Sequence, residues 1–435
     1  MQNWKILLLG ITGDLAKLKV LPAISQFSEN NQSEVQIDLM GYSRTVPDTK
    51  QIERILDDSS SLGKHTLSSI NYFQGQYNNA AFFDSLYNAT SENEKLVIYM
   101  AVPPNVFLEF LQNSCPHNDK NIEIILEKPF GRDAQEAETI LKTIHSCKLT
   151  NKVHFFDHYL YKSEMQLSRA EISNLKSLKN KVIKEINLQA LETVGVGTRG
   201  QYYDGIGATK DMLPHLFSML CLNLEILDNN FDLNYFEDLQ IEQLLLGQYK
   251  NYASEMEKAT NTETYFLVKT LISNMKVTLE SGKKLDTKLT QITTIFTDES
   301  KLIWNIAPNK TLTYISDTDN FSLNLDKDKN LDHTNMFENL LDKTETNFVT
   351  PGQVLTSWWL FNQVDYFKKL KRIPLNLYPN LDNNYPSSKA TTNPNSTDEI
   401  ANLENSKKLL EQSLDNLLNQ DFILSDSSQI GKVQL

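Results

Sequence analysis

The sequence predicts an α/β domain on a parallel sheet, followed by an α+β domain whose larger sheet is mostly antiparallel. Three observations carry that reading. Short apolar runs alternate with helical patterns over about the first 160 residues. Glycine, proline or acidic punctuation closes each run. Beyond that point the strand-like segments lengthen and follow one another more closely. A chain of 435 residues also suggests two or three domains at roughly 150 residues each.

The elements can be justified in order. Lys5–Leu9 is apolar and stops at Gly10, and Gly13-Asp14-Leu15-Ala16 leads into Leu18, Leu21, Ile24 and Phe27 at helical spacing. Val35–Tyr42, Lys95–Ala101, Ile122–Leu126 and Val153–Phe156 read as further strands, with an acidic helix over Ala134–His145. Strands separated by helices predict a parallel sheet covered on both faces. The second region offers Ile183–Leu191, Tyr265–Ile272, Lys276–Leu279 and Gln291–Phe296 as strands, with helices at Met212–Leu222 and Met336–Leu341. Residues 386–397 form a polar linker, and Leu403, Leu410, Leu414, Leu417 and Leu418 suggest one amphipathic helix after it. The expected domains are therefore 1–157, 158–385 and a tail over 386–435.

Composition excludes several classes. A hydrophobic content of 40% with 22% charged residues fits a globular chain, and 42 basic against 55 acidic residues leaves −13. That balance argues against a general nucleic-acid partner, which needs a basic surface to displace phosphate counterions. Cys115, Cys147 and Cys221 are too few and too scattered for a disulfide framework, and no CxxC pair offers a metal site. A reducing compartment is expected, and no metal. Apolar runs such as Ile6–Leu9 fall far short of the roughly 20 residues that span a bilayer, so no membrane partner is expected. No secretion-signal pattern opens the chain, which leaves the cytoplasm as the expected location.

Gly10-Ile11-Thr12-Gly13-Asp14-Leu15-Ala16 lies between the first strand and the first helix. Small residues there let the backbone approach a pyrophosphate, and a helix N-terminus supplies unpaired N–H groups. Gly10, Thr12, Gly13, Asp14 and Leu15 are thus the expected cofactor turn. The end of the second strand reads Ser43-Arg44-Thr45, where an arginine between hydroxyls suits the 2′-phosphate of NADP. NAD stays open, because an arginine can also stack on adenine.

Three further stretches are Glu127-Lys128-Pro129-Phe130-Gly131-Arg132-Asp133, Asp157-His158-Tyr159-Leu160-Tyr161-Lys162 and Arg199-Gly200-Gln201-Tyr202-Tyr203-Asp204. With the GDLA turn, and in this order, they resemble the glucose-6-phosphate dehydrogenase family. The resemblance continues through Gly247-Gln248-Tyr249, Thr262-Glu263-Thr264, Ser281-Gly282-Lys283-Lys284-Leu285, Phe337-Glu338-Asn339-Leu340-Leu341 and Ser357-Trp358, so it spans roughly residues 4–385.

The resemblance implies an NADP-binding Rossmann-like domain and a second domain for substrate binding and dimerisation. It implies oxidation of glucose 6-phosphate to the lactone, the opening step of the oxidative pentose phosphate pathway. Removing a hydroxyl proton suits a histidine, whose pKa lies near neutrality, backed by a carboxylate. By resemblance His215 is the base and Asp157 its partner. Lys128, at a strand's C-terminal end, contacts sugar and nicotinamide. His158, Tyr159 and Lys162 hold the phosphate, Glu192 and Asp211 hold sugar hydroxyls, and Lys283 and Lys288 reach the substrate. A homodimer is also implied.

Some positions depart from the family pattern. The step from Asp211 to His215 is one residue shorter, which predicts a helix beginning after Asp211, with Pro214 in its first turn and Asp211 as its cap. The segments at Ile272–Val277, Ala307-Pro308 and Leu381–Pro386 also differ. Two alternatives stay open: a dehydrogenase of another sugar or sugar phosphate, and a catalytically impaired dinucleotide-binding relative.

Overall fold

The computed structural model describes residues 1–45, 48, 50, 70–173, 175, 178, 181–197, 200–326, 330–342 and 347–378. The expected linker, the tail helix and Arg199 lie outside the described residues. The longer helices, in chain order, are α1 (Leu21–Asn30), α2 (Ala80–Ala89), α3 (Phe107–Ser114), α4 (Ala134–Ser146), α5 (Ser163–Ser173), α6 (Gly207–Leu227), α7 (Asp332–Asp342) and α8 (Pro351–Leu370). The chain divides into two compact units. One is Met1–Ser163 with Lys329–Val354, and the other is Glu164–Asp328 with the chain from Leu355 onward.

The first unit is built on a six-stranded, wholly parallel sheet. Its strands are β1 (Gln2–Leu9), β2 (Val35–Ser43), β3 (Asn71–Gln74), β4 (Glu94–Met100), β5 (Ile122–Glu127) and β6 (Val153–Phe156), in the order β3-β2-β1-β4-β5-β6. Parallel strands need helical crossovers on both faces, so their central residues are buried on both sides and read as continuous apolar runs. Ile6–Leu9, Leu96–Met100 and Ile124–Leu126 are all buried. The strand order reverses between β1 and β4, which opens a crevice beyond their C-terminal ends.

Local signals account for the helices of this unit. A π-helical stretch, Ala16–Val20, runs directly into α1. Asp133 caps α4 by accepting from Glu136 N at 2.8 Å, while Glu136 Oε2 reaches back to Arg132 N at 2.6 Å. That reciprocal pair satisfies two otherwise orphaned donors. Helix α7 belongs to this unit although it follows most of the second in sequence. Phe337 of α7 stacks on Phe27 of α1 at 5.6 Å, and Phe27 meets Trp4 of β1 at 5.3 Å.

The second unit carries a nine-stranded sheet: β7 (Ile183–Leu191), β8 (Gln240–Tyr249), β9 (Tyr265–Ile272), β10 (Met275–Gly282), β11 (Leu289–Phe296), β12 (Lys301–Ala307), β13 (Thr311–Ile315), β14 (Asn320–Asn324) and β15 (Leu375–Tyr378). Their order is β14-β13-β12-β11-β7-β10-β9-β8-β15. Only the β7–β10 and β8–β15 pairs are parallel. Alternation along β7, β11 and β12 gives one buried face, and α6 packs on it against β7, β9 and β10. The α/β and α+β classes read from the sequence are the folds observed.

Two expectations need correction. Cys115 and Cys147, 32 residues apart, form a disulfide with Cα atoms 4.7 Å apart; only Cys221 is free, and it is buried. The spacing looked scattered because it is closed by the packing of α3 against α4, which a count of cysteines does not register. Helix α6 begins at Gly207, not after Asp211, so Pro214 lies two turns inside it and Asp211 is no cap. The helix is started from outside: Ala208 N donates to Glu263 O at 2.8 Å and Thr209 N to Glu263 Oε1 at 3.3 Å.

Candidate active site

In the first unit the site is assembled at the C-terminal ends of the parallel strands. Gly10 follows β1 with φ +80°, and a Cβ there would stand 2.2 Å from Ala101 O just beyond β4. Only glycine fits a position that is both left-handed and so closely approached. Gly13 N donates to Gly10 O at 2.8 Å, and Lys17 N to Gly13 O at 3.1 Å, so the turn winds straight into the helix. Thr12, Gly13 and Leu15 are partly exposed and Asp14 is exposed. An open backbone cradle at a helix N-terminus is what a pyrophosphate requires, so these residues fit a dinucleotide.

Ser43 ends β2 and Arg44 follows it. Ser43 is buried and its Oγ donates to Thr45 O at 2.7 Å. Arg44 is exposed, with its guanidinium 5.6 Å from the Tyr77 ring centre. Burial raises the Tyr77 phenol above its ordinary value, and the Arg44 charge pulls the other way. An exposed guanidinium braced on a ring can meet a phosphate.

Lys128 and Asp157 end β5 and β6, and the structure brings them together. Lys128 Nζ lies 2.6 Å from Asp157 Oδ2; Asp157 is fully buried and the lysine side chain 9% exposed. Next along the chain, Leu160 N, Tyr161 N and Lys162 N donate to the carbonyls of Asp157, His158 and Tyr159. These i→i+3 bonds make successive turns and no α-helix, so Lys162 does not share a helical face with His158. The Tyr159 ring lies between the two instead: its centre is 4.8 Å from the His158 ring and 5.2 Å from Lys162 Nζ. Tyr159 N donates to Asp157 Oδ1 at 3.0 Å, which fastens the turn to the carboxylate.

In the second unit two of the expected substrate-binding residues, Lys283 and Glu192, pair with each other. Lys283 Nζ lies 2.6 Å from Glu192 Oε2. The backbone fixes both, since Glu192 N donates to Gly282 O at 2.9 Å and Tyr378 Oη to Lys283 O at 2.7 Å. Lys283 Nζ also stands 5.4 Å from the centre of the Tyr203 ring. Asp211 and His215 lie four apart on α6 and so share a face. His215 is buried and Asp211 partly so. Lys288 is exposed in the connection between β10 and β11.

Sequence reasoning overlooked several participants. Burial, then the negative charges of Asp211, Glu263 and Glu192, hold the Tyr203 phenol neutral, far above its ordinary value. Tyr203 stood inside a quoted motif, yet nothing in its spelling separates it from Tyr202, which is exposed. Glu263 receives the start of α6, and Gly207 (φ +74°) makes room for its carboxylate. Asp332, 3.5 Å from Lys162 Nζ, and His333, 3.1 Å from Glu127 Oε1, come from α7, some 170 and 206 residues away. No local pattern could have revealed them.

Comparison with known proteins finds similarity along most of the chain. Residues 7–166 match the family described as "Glucose-6-phosphate dehydrogenase, NAD binding domain", and residues 173–342 match its C-terminal domain. A glucose-6-phosphate 1-dehydrogenase of Helicobacter pylori (strain J99) is 25% identical over 299 residues, covering 63% of this chain and 70% of that one. One of Cyberlindnera jadinii is 25% identical over 459 residues, covering 86% and 91%. A solved glucose-6-phosphate dehydrogenase in complex with its substrate glucose-6-phosphate superposes with a TM-score of 0.72 at 19% identity, covering 93% of this chain and 98% of that one. Two successive domain matches, joined by a strand order and a cofactor turn that fit them, make this chain a member of the glucose-6-phosphate dehydrogenase family.

Proposed function

We propose that the chain is an NADP-dependent glucose-6-phosphate dehydrogenase, oxidising glucose 6-phosphate to the lactone at the head of the oxidative pentose phosphate pathway. The observation that carries the reading is the buried Lys128–Asp157 pair at the ends of β5 and β6, with the His158–Tyr159–Lys162 cluster directly after it. A lysine, a histidine and a tyrosine hydroxyl within one short turn make a donor set for a phosphomonoester.

The roles follow from the chemistry of each group. Gly10, Thr12, Gly13, Asp14 and Leu15 would hold the pyrophosphate of NADP, and Ser43 and Arg44 its 2′-phosphate. Bound NADP supplies the hydride acceptor. His215 accepts the proton of the sugar's C1 hydroxyl, and Asp157 is assigned as the carboxylate that stabilises the resulting imidazolium. Lys128 orients the sugar against the nicotinamide. His158, Tyr159 and Lys162 anchor the phosphate, while Glu192, Asp211, Lys283 and Lys288 take the sugar hydroxyls. A homodimer through the large sheet of the second unit and a cytoplasmic location belong to the same proposal.

NADPH formation across a panel of sugars and sugar phosphates, with NADP and with NAD, tests it. Turnover confined to glucose 6-phosphate with NADP is expected. Preference for another sugar would favour a related dehydrogenase, which the shortened Asp211–His215 step makes the second reading. No turnover with any substrate despite NADP binding would point to an impaired relative. If His215 is the base, His215→Asn should lower kcat by about 10²–10⁴ and leave KM nearly unchanged, because general-base assistance acts in the transition state. A variant with normal kcat would remove His215 from that role.

A further inference from the structure

The first turn of α7 places three polar side chains against the strand ends that carry the candidate site. Asp332 Oδ2 lies 3.5 Å from Lys162 Nζ. Asn335 Nδ2 donates to Tyr161 O at 2.9 Å and to Ser163 Oγ at 3.0 Å. His333 Nε2 meets Glu127 Oε1 at 3.1 Å. The same carboxylate oxygen accepts a short hydrogen bond from the Tyr99 hydroxyl at the end of β4. All three members of this last group are buried. Burial, and then the Glu127 charge, keep the Tyr99 phenol protonated far beyond its ordinary range, so it remains a donor.

Glu127 is the last residue of β5 and Lys128 the first beyond it, so the two share one peptide unit. Glu127 is gripped by Tyr99 and His333, and the His333 ring packs edge-on to Phe156 at 4.9 Å. Lys128 is held by Asp157, the residue after Phe156. The two arrangements thus adjoin at the ends of the same two strands. A buried carboxylate that loses one of two donors must move or admit water. Either response shifts the peptide that carries Lys128.

We propose that His333 is a positioning residue: through Glu127 it fixes the strand end from which Lys128 reaches its working position. This rests on the proposed dehydrogenase function for the activity readout, but not for the geometric one. The His333 ring also stacks on that of His158 at 6.5 Å, so its effect should fall on turnover and on the KM for the sugar phosphate rather than on cofactor affinity.

The test compares His333→Leu with His333→Gln, the latter retaining an N–H donor for Glu127. Thermal unfolding establishes that each variant is folded. In His333→Leu, kcat for glucose 6-phosphate should fall about tenfold with the NADP Kd unchanged within about twofold, and His333→Gln should recover most of the loss. Independently of turnover, acylation of Lys128 by a small amine-reactive reagent, followed by mass spectrometry, reads its pairing with Asp157. That rate should rise by about fivefold or more in His333→Leu, stay near wild type in His333→Gln, and leave Lys283 unaffected in both. Equal Lys128 labelling in the wild type and both folded variants overturns the proposal, as does an equal kcat loss for Leu and Gln. If the wild type itself turns over no sugar phosphate, the functional reading fails, and the labelling comparison still decides the role of His333.

Discussion

Arg44 is the residue proposed to separate the two dinucleotides. Its guanidinium stands over Tyr77, exposed beyond β2. A charge-assisted, bidentate contact to phosphate contributes about 1.5–3 kcal/mol. Arg44→Ala should therefore weaken NADP by about tenfold to a hundredfold and barely change NAD, as read by cofactor fluorescence titration; equal loss for both would assign Arg44 elsewhere. Asp204 gives a pH prediction. Partial burial opposes its ionisation, but Lys258 at 2.7 Å and the Thr260 hydroxyl at 2.5 Å hold its pKa down to about 2 from 3.8. A carboxylate depressed on folding stabilises above its unfolded pKa and loses that contribution as pH falls through the folded value. Wild-type stability should thus drop between about pH 4 and 2 more steeply than that of Asp204→Asn, measured by urea unfolding at each pH; parallel curves would show the pairing to be worthless. The positions of Gly10, Arg44, Lys128 and Asp157 at element ends were readable from the chain because punctuation marks those boundaries. Tyr203, Asp332 and His333 were not, because their importance comes from partners distant in sequence.

At the scale of elements, α6 teaches the most. Apolar spacing suggested a helix over Met212–Leu222, and the shortened step before His215 suggested a start after Asp211. The helix in fact begins at Gly207, because Glu263 supplies acceptors for Ala208 N and Thr209 N. A carboxylate at a helix N-terminus also complements the helix dipole. Propensity could not predict this, since the starting signal sits on another strand-linked segment. Pro214 is carried inside the helix, where it removes one backbone donor. Gly207 is the pivot: it has φ +74°, and a Cβ would fall 2.6 Å from Glu263 Oε1. Gly207→Ala should destabilise by about 1–3 kcal/mol in urea unfolding and lower turnover by displacing His215. An unchanged midpoint would mean that the helix can start elsewhere at no cost. The β elements were easier to read, because β1, β4 and β5 are buried on both faces and spell continuous apolar runs.

At the scale of the molecule, the class of each sheet was legible and the path of the chain was not. The stretch around Met336–Leu341 was read as a helix of the second domain, yet α7 packs with the first unit. Amphipathic spacing reports that a helix has an apolar face, never which core receives it. Residues beyond Pro386 contain none of the assigned site residues. Truncation there should preserve turnover per folded molecule, while shifting stability or oligomeric state; a folded but inactive truncation would assign the tail to the site.

The discontinuity of the first unit also has a consequence for the order of synthesis. A ribosome delivers all six parallel strands by residue 156, but Phe337 and His333 arrive about 180 residues later, roughly ten to forty seconds at ordinary elongation rates. Until then, Phe27 and Ala23 of α1 lack the helix that covers them, and Glu127 lacks one of its two donors. The first unit therefore lacks those contacts while the nine-stranded unit is being made. A fragment ending at Ser163 should emerge as a sticky, chaperone-bound species, whereas joining 329–354 to it through a short linker should release a compact one.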